Sequence, residues 1–526
     1  MIFSSSLARH GIAITLLVGL SPSLLADWPQ WRGPNRSGVS TDTTPITESI
    51  PDSGLVKLWE SDAIPSDHYG GHGSPVIAGE RVYMSIVWHE NVPSDQREID
   101  TEVMQQLNHR GTSADLAAKL EQARLDLSPR LRGEKLDAWI DQWLQENMTE
   151  KERIALGSWA ASRFKAGRTA FPLAELDQVS KRQNKPFPSA AAFRQWMDDE
   201  GFSDALKEKL LSAVPNTIKQ ANDVIVCLDL NTGKEIWRYQ GEGLPVGRNA
   251  SSTAAVIDDH VYAAGSTHLY CVSAQDGKEV WKTPLPRKGP AASPLVADGK
   301  VFIGSSTALA FDAKTGTQLW EQKEAKGDTG SPQWWQPESG PALILYTANN
   351  GLFGLDPATG EKRWSIEGGG QSTPVTSGDW LVFYSGADGV GLRAAKYQAD
   401  GPPKTAWSHF WVTRRYSGSP IIHDGHVYLY CGEKHQCVNL ESGEILWKET
   451  ANSTITSPLL ADGKIIVLEN NGSHVSLTSA GTDAYRQYAR VRIDAMGCTS
   501  PALSNGRLIV RQREKLTCFD LRPTAP

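Results

Sequence analysis

Short apolar runs such as "KVFIG", "ALAFD" and "QLW" recur along most of the chain, each rich in β-branched or aromatic residues and bounded by Gly, Asp or Ser. Runs of this length with this punctuation predict meandering antiparallel strands. The pattern is periodic: a unit of about 40 residues returns, most plainly in "SPLVADGKVFIGSSTALAFDAKTGTQLW" and "SPIIHDGHVYLYCGEKHQCVNLESGEILW". A Ser/Thr pair, Ser-Pro or Thr-Pro opens each unit, at Ser74-Pro75, Ser252-Thr253, Ser293-Pro294, Ser331-Pro332, Thr373-Pro374, Ser419-Pro420, Ser457-Pro458 and Ser500-Pro501, which makes eight. An aromatic residue closes seven of them: Trp237, Trp281, Trp320, Trp364, Trp407, Trp447 and, in a weaker copy, Tyr485. The eighth closer lies at the other end of the chain, where Trp59 in "LVKLWE" precedes the first opener. The two ends are therefore expected to pair and close a ring, which removes the strand edges that an open array would expose.

The turn before the last strand of a unit is nearly constant. Asp229, Ser273, Asp312, Asp356 and Asn439 stand four residues ahead of Gly233, Gly277, Gly316, Gly360 and Gly443, and four residues after each Gly comes the Trp. A short polar side chain caps such a turn while Gly takes the positive φ. An aromatic fixed at that place in every unit is expected to wedge between neighbouring units. The expected fold is all-β: an eight-bladed β-propeller, four strands to a blade, closed by an N-terminal strand.

The repeated "CLDLNTGKEIW", "FDAKTGTQLW" and "LDPATGEKRW" resemble the tryptophan-docking repeat of the PQQ-like, quinoprotein-type propeller family over residues 55–88 and 223–521. The segment "DWPQWRGPNRSGVS", followed by "LVKLWE", resembles that family's opening segment, in which an arm leads into the closing strand. The resemblance implies one of two branches: pyrroloquinoline-quinone dehydrogenases, or non-enzymatic propellers similar to the outer-membrane assembly factor BamB.

Between "RVYMSIVW" and "DVIVCLDL" the strand pattern gives way, over residues 89–222, to helical periodicity. Leu136, Trp139, Ile140, Trp143 and Leu144 follow the spacing of one apolar helix face, Thr149 with Glu152 reads as a capping box, and Ser189 and Ser203 read as further N-caps. About five helices are expected, as an insertion in the first blade. Because it follows the second strand, it should emerge on the face where the innermost strands begin. Residues 1–26 read as an export signal, with Arg9 and His10 before the apolar run "GIAITLLVGL" and a small residue, Ala26, at the expected cleavage point. Residues 27–54 form the arm. The expectation is an exported protein, periplasmic or secreted, with no membrane-spanning segment in the mature chain.

A formal net charge of −7 disfavours nucleic acid as a partner. A quinone site of the enzymatic branch implies Ca²⁺ held by carboxylates and amide oxygens, an Asp base and an adjacent cysteine pair. This chain has no Cys-Cys pair, and Asp328 is the only acidic residue directly before an opener. No cofactor and no metal are therefore expected, with pyrroloquinoline quinone and Ca²⁺ the alternative. Polar side chains do recur just before the innermost strands: His72, Asn249, Asp328, Gln371 and Tyr416, flanked by Arg248 and Arg415. They are candidates for a ligand-binding funnel mouth, or else hold loop backbone around a water-filled channel. Cys227, Cys271, Cys437 and Cys518 share one place in the repeat, where other blades have Ala310 and Gly354, and read as small buried residues rather than disulfides; Cys431 and Cys437 are the only near pair. The expected function is a non-catalytic scaffold or binding module with a protein partner in the cell envelope. A quinoprotein dehydrogenase and a small-ligand or carbohydrate-binding propeller are the alternatives.

Overall fold

The structure, a computed structural model, describes residues 27–51, 53–64, 71–241, 243, 252–286, 291–327, 330–413, 416–454 and 456–523. Eight antiparallel sheets follow one another along the chain. In blade 3 the order is Leu295–Ala297, Lys300–Ser305, Thr307–Asp312, Gln318–Gln322, inner to outer, and seven of the eight sheets repeat that four-stranded arrangement. In blade 6 the second and third strands run together as His426–Asn439, bent at Gly432. The last blade takes its outer strand from the other end of the chain: Val56–Glu60 pairs with Leu516–Asp520, setting Trp59 opposite Cys518. The expected eight-bladed ring, closed by an N-terminal strand, is the observed fold.

Blade-to-blade packing explains the turn motif. Asp229 Oδ1 accepts from the main-chain N–H groups of Asn231 and Thr232 and from the Thr232 hydroxyl, and Gly233 sits at φ +71°. A Cβ on Gly233 would lie 2.4 Å from the Trp59 ring, so only glycine lets the indole of the preceding blade lie flat on this turn. The indole N–H then donates into the same turn: Trp59 to Leu230 O (2.8 Å), Trp237 to Ala274 O (3.1 Å), Trp281 to Ala313 O (3.1 Å), Trp320 to Pro357 O (3.2 Å), Trp407 to Leu440 O (2.8 Å) and Trp447 to Gly481 O (2.9 Å). Trp364 is the exception; its buried Nε1 has no partner among the described residues. On the neighbouring strand each Trp faces a small residue, Cys518, Cys227, Cys271, Ala310, Gly354, Ala394 or Cys437. The cysteines at this place are buried space-fillers and carry free thiols, and burial pushes Cys227 up to about 12. Cys431 and Cys437 are not joined by a disulfide.

Blade 7 departs from the expectation. Its outer strand is Gln487–Arg492, and the place opposite Leu477, where other blades put Trp, is taken by Ala489. Tyr485 instead stands against Trp447 of the preceding blade, ring centroids 5.5 Å apart. The longer turn "SAGTDAYRQ" moves the aromatic from one side of the blade to the other.

The insertion has seven α-helices, more than the sequence suggested: Thr101–Gln106, Ala114–Asp126, Glu134–Asn147, Glu150–Ala166, Leu173–Ser180, Ala190–Asp199 and Asp204–Ala213. The Thr149/Glu152 capping box is present, and Ser189 caps through Ala192 N. Ser203 does not cap; its hydroxyl donates to Glu175 instead. Ile140 and Trp143 are buried, and Phe164 meets Trp139 and Trp143 at 5.1 and 4.8 Å, so this apolar stripe is internal packing in a core separate from those of the blades.

Candidate functional site

The innermost strands begin at one face of the ring, here the upper face, and the Trp-docking turns lie on the other. Just before each innermost strand, hydroxyls link blade to blade. Ser74 N donates to Thr253 Oγ1 (3.0 Å), Thr253 N to Ser293 Oγ (2.9 Å) and Ser293 N to Ser331 Oγ (3.2 Å). Thr373 N donates to Ser419 Oγ (2.9 Å), Ser419 N to Ser457 Oγ (3.2 Å), Ser457 N to Ser500 Oγ (3.1 Å), and Ser500 N back to Ser74 Oγ (2.9 Å). The Ser/Thr openers thus tie seven of the eight blade junctions. At the eighth, between Ser331 and Thr373, the Thr373 hydroxyl accepts instead from Trp31 Nε1 at 3.0 Å.

Trp31 belongs to the N-terminal arm, which occupies the axis of the ring. Asp27 Oδ1 accepts from Gly79 N on the lower face, and Trp28 bridges Ile77 of blade 1. Pro29 O accepts from Val256 N of blade 2. Arg36 donates to Ser293 O and Pro294 O of blade 3, Asn35 O accepts from Gln333 of blade 4, and Arg32 donates to Pro420 O of blade 6. The chain then descends past Leu460 of blade 7 to Asp42, which accepts from Gly506 N of blade 8. With Trp31 on blade 5, the arm touches every blade. It is a re-entrant plug: residues 31–36 turn at the level of the hydroxyl ring, and both limbs leave through the lower face. The channel is therefore not the open, water-filled one weighed above.

Local chemistry sets the tip. Gly33 has φ +82°, and a Cβ there would lie 2.8 Å from the Trp28 ring on which the turn rests. Arg32 and Arg36 are buried and donate through Nη1 and Nη2 to carbonyl oxygens at the starts of the inner strands and within the tip itself, Arg36 Nη1 also to Gln30 Oε1, while neither Nε has a partner among the described residues. Burial pulls both down to about 9, so both stay charged at neutral pH. Asn35 is exposed and Trp31 and Pro34 half-buried at the upper end of the plug, where they form the floor of the funnel.

Three of the expected mouth residues lie among the described residues. His72 Nδ1 lies 3.1 Å from Gly497 O. Gln371 Oε1 accepts from Ser417 Oγ at 2.7 Å. Tyr416 accepts from Thr413 N and donates to Trp411 O, both at 3.1 Å, and its ring lies 5.4 Å from Tyr384. Arg248, Asn249, Asp328 and Arg415 lie outside the described residues. Among the described residues no three His, Cys, Asp or Glu side chains are gathered as a metal site would require.

The helical insertion roofs the funnel. The second and third strands of blade 1, Arg81–Pro93 and Thr217–Asp229, pair over thirteen positions, and the part from Val87 onward rises beyond the neighbouring blades by roughly 20 Å at ~3.3 Å per residue. From this ribbon the helices reach the opposite side of the ring, where Lys151 Nζ lies 3.0 Å from Asp388 in the upper connection of blade 5, four blades away. Sequence reasoning missed Trp31 and Asn35 as floor residues. The signal was present in "WRGPNR", a Gly flanked by two arginines in a stretch too polar to be a strand.

The profile of the family described as outer membrane protein assembly factor BamB matches residues 221–399 and 393–523, more than half of the chain. The chain belongs to that family. BamB of Salmonella typhimurium is 26% identical over 319 residues, which cover 48% of this chain and 80% of BamB. Lupanine 17-hydroxylase [cytochrome c] of a Pseudomonas species is 29% identical over 213 residues, 36% of this chain and only 29% of the hydroxylase. Among solved structures, BamB from Moraxella catarrhalis superposes on 58% of this chain and 90% of its own, with a TM-score of 0.45 and 16% identity. Among the described residues no helix is long and apolar enough to cross a membrane.

Proposed function

We propose that the chain is a non-catalytic scaffold of the cell envelope, exported by its first 26 residues, which binds a protein partner through the upper face formed by the funnel rim and the helical cap. The observation that carries this reading is the plug. A planar tricarboxylate quinone needs an open pocket on the propeller axis, together with carboxylate and amide oxygens for its Ca²⁺. Trp31, Arg32 and Arg36 stand on that axis at the level of the hydroxyl ring, and the two arginines tie the plug to backbone carbonyls of blades 3 and 6. The plug supports the non-enzymatic branch over one that holds this cofactor. Family membership supports the same side, since BamB is by its description an assembly factor. The upper face is the part of the surface that departs from the repeat, and long insertions among short turns are the usual carriers of function.

Two measurements on the purified full chain test the reading. Pyrroloquinoline quinone with Ca²⁺ should leave no bound-cofactor absorbance after desalting, and alcohols or sugars should reduce no artificial electron acceptor. Crosslinking in the native envelope should yield one defined protein adduct through photoreactive residues placed on the cap, and none through residues placed on the lower-face turns. Stoichiometric quinone with turnover, or adducts confined to the lower face, overturns the proposal.

A further inference from the structure

Several cations of the helical cap are paired with carboxylates. Glu121 holds both Arg124 and Arg163, at 2.7 and 2.8 Å, and Lys119, Lys165 and Lys207 lie 2.8 Å from Asp115, Asp137 and Asp198. The neck, where the ribbon gives way to the helices, is different. A cavity of about 330 Å³ opens there between the start of Ala190–Asp199 and the end of Asp204–Ala213, and its walls carry Arg97 and Arg194 but no carboxylate.

Both guanidinium groups are available to a ligand. Arg97 is fixed in place, because its main chain exchanges two hydrogen bonds with Phe187 and its Nη1 donates to Ser94 O and Gln96 O at 2.9 and 2.8 Å. The rest of its fork has no partner among the described residues. Arg194 makes no hydrogen bond or ion pair among them at all. Asp95, close by in sequence, has Oδ1 3.5 Å from Ala190 N at the helix start and is not part of the lining. One side of the remaining wall is apolar. Leu211 is 40% exposed, one of the few large hydrophobic side chains left so open, and Val214 and the buried Phe193 continue the surface behind it. Ser212 and Asn216 add two neutral polar groups.

The planar fork of arginine matches a carboxylate in a bidentate geometry. An apolar wall within reach of that fork selects for an anion with a hydrophobic body over a bare ion, and the volume is at the small end of the ~300–1,000 Å³ typical of ligand pockets. We infer that the neck cavity is a binding site for a carboxylate carried on a short apolar body, with the carboxylate on Arg97 and Arg194 and the body against Leu211 and Val214. A free short-chain acid and the C-terminal residue of a polypeptide share that chemistry. The site lies apart from the funnel floor and stands whether or not the scaffold reading holds.

Saturation-transfer NMR on the full chain, with hexanoate as probe, tests this. Hexanoate binds, hexanamide binds about tenfold more weakly for want of the charge-assisted hydrogen bonds, and an equal concentration of inorganic phosphate does not displace hexanoate. Arg194→Gln weakens hexanoate by a similar factor with an unchanged melting temperature, and Arg97→Gln, checked for folding by circular dichroism, does the same. Equal binding of hexanamide would make the cavity merely apolar, displacement by phosphate would make it a general anion site, and undiminished binding to Arg194→Gln would place hexanoate elsewhere; each overturns the inference. Acetyl-Ala-Leu with a free C-terminus, compared with its amide and with hexanoate, separates the sources. Tighter binding of the free peptide assigns the site to a polypeptide C-terminus, and weaker binding assigns it to a small acid.

Discussion

Trp31 Nε1 donates to Thr373 Oγ1 across 3.0 Å, at the one junction of eight where the hydroxyl link between neighbouring blades is missing. The plug and the ring are thereby joined at the place where the ring is weakest. Trp31→Phe should cost about 0.5–1.5 kcal/mol, the net worth of one hydrogen bond, and a double-mutant cycle with Thr373→Val should show the two losses to be non-additive. Gly33→Ala should cost more, about 2–4 kcal/mol, because it combines a left-handed backbone with a Cβ against the Trp28 ring. Chemical denaturation of the four proteins checks both statements.

Removing the closing strand should unseat the whole ring. Trp59→Ala deletes a buried indole that lies on Gly233 and donates to Leu230 O, and about 3–5 kcal/mol should be lost. Deleting residues 55–60 should lower the melting temperature further, and an unchanged melting temperature would mean that the ring closes in another way.

The indole N–H groups are not equivalent. Trp407→Phe strips the buried Leu440 carbonyl of its donor and should cost about 1–3 kcal/mol, whereas Trp364→Phe removes an N–H without a partner among the described residues and should be near neutral or favourable. Equal losses at the two positions, read from denaturation midpoints, would contradict the packing described above.

His435 makes a pH prediction. It is fully buried beside Tyr430, ring centroids 4.3 Å apart, and neither ring nitrogen has a partner among the described residues. Burial pulls its pKa down to about 3, so the folded chain binds fewer protons there than the unfolded chain, whose histidine titrates near ~6.5. Its stabilising contribution is complete above pH ~6.5 and is lost as the pH falls from there toward 3. The melting temperature between pH 7 and 4 should therefore drop less steeply in His435→Phe than in the parent chain, and parallel curves would refute this account.

Replacing residues 94–216 by a short Gly/Ser linker should leave a folded propeller, because the core of the cap is separate from those of the blades and its tie to blade 5 is an exposed ion pair worth ~0–1 kcal/mol. Near-native circular dichroism and a single cooperative transition are the expected results. Loss of the transition would show that the cap is part of the propeller's core.

The repeat was legible in the sequence because the blades solve one packing problem with recurring residues: a hydroxyl at the opener and, in five of the turns, a Gly at φ near +70° with an indole laid on it. Blade 7 was misread because spacing within a turn decides which neighbour an aromatic meets, and Tyr485 sits in a turn of unusual length. The plug was only half legible. "WRGPNR" stood out as a motif, yet its partners Ser293, Pro294, Gln333, Thr373 and Pro420 lie hundreds of residues away and carry no complementary pattern, since most of them receive the arm through backbone oxygens. The neck cavity could not be read at all: Arg97 and Arg194 are brought together only by the way two helices settle on the ribbon.

The arm has a consequence for how the molecule is built. It is the first folded segment in chain order, but its contacts run to Pro420 and Leu460, and the strand that follows it pairs near residue 520. Contacts of such sequence separation make folding slow, because loop closure comes before any of them can form. A chain emerging N-terminus first must keep the arm unsatisfied until the later blades exist and the closing strand unpaired until the eighth does, with open edges exposed meanwhile. Assembly is thus complete only at the last strand, and a chain shortened at its C-terminus leaves its closing strand without a partner as well as losing its final blade.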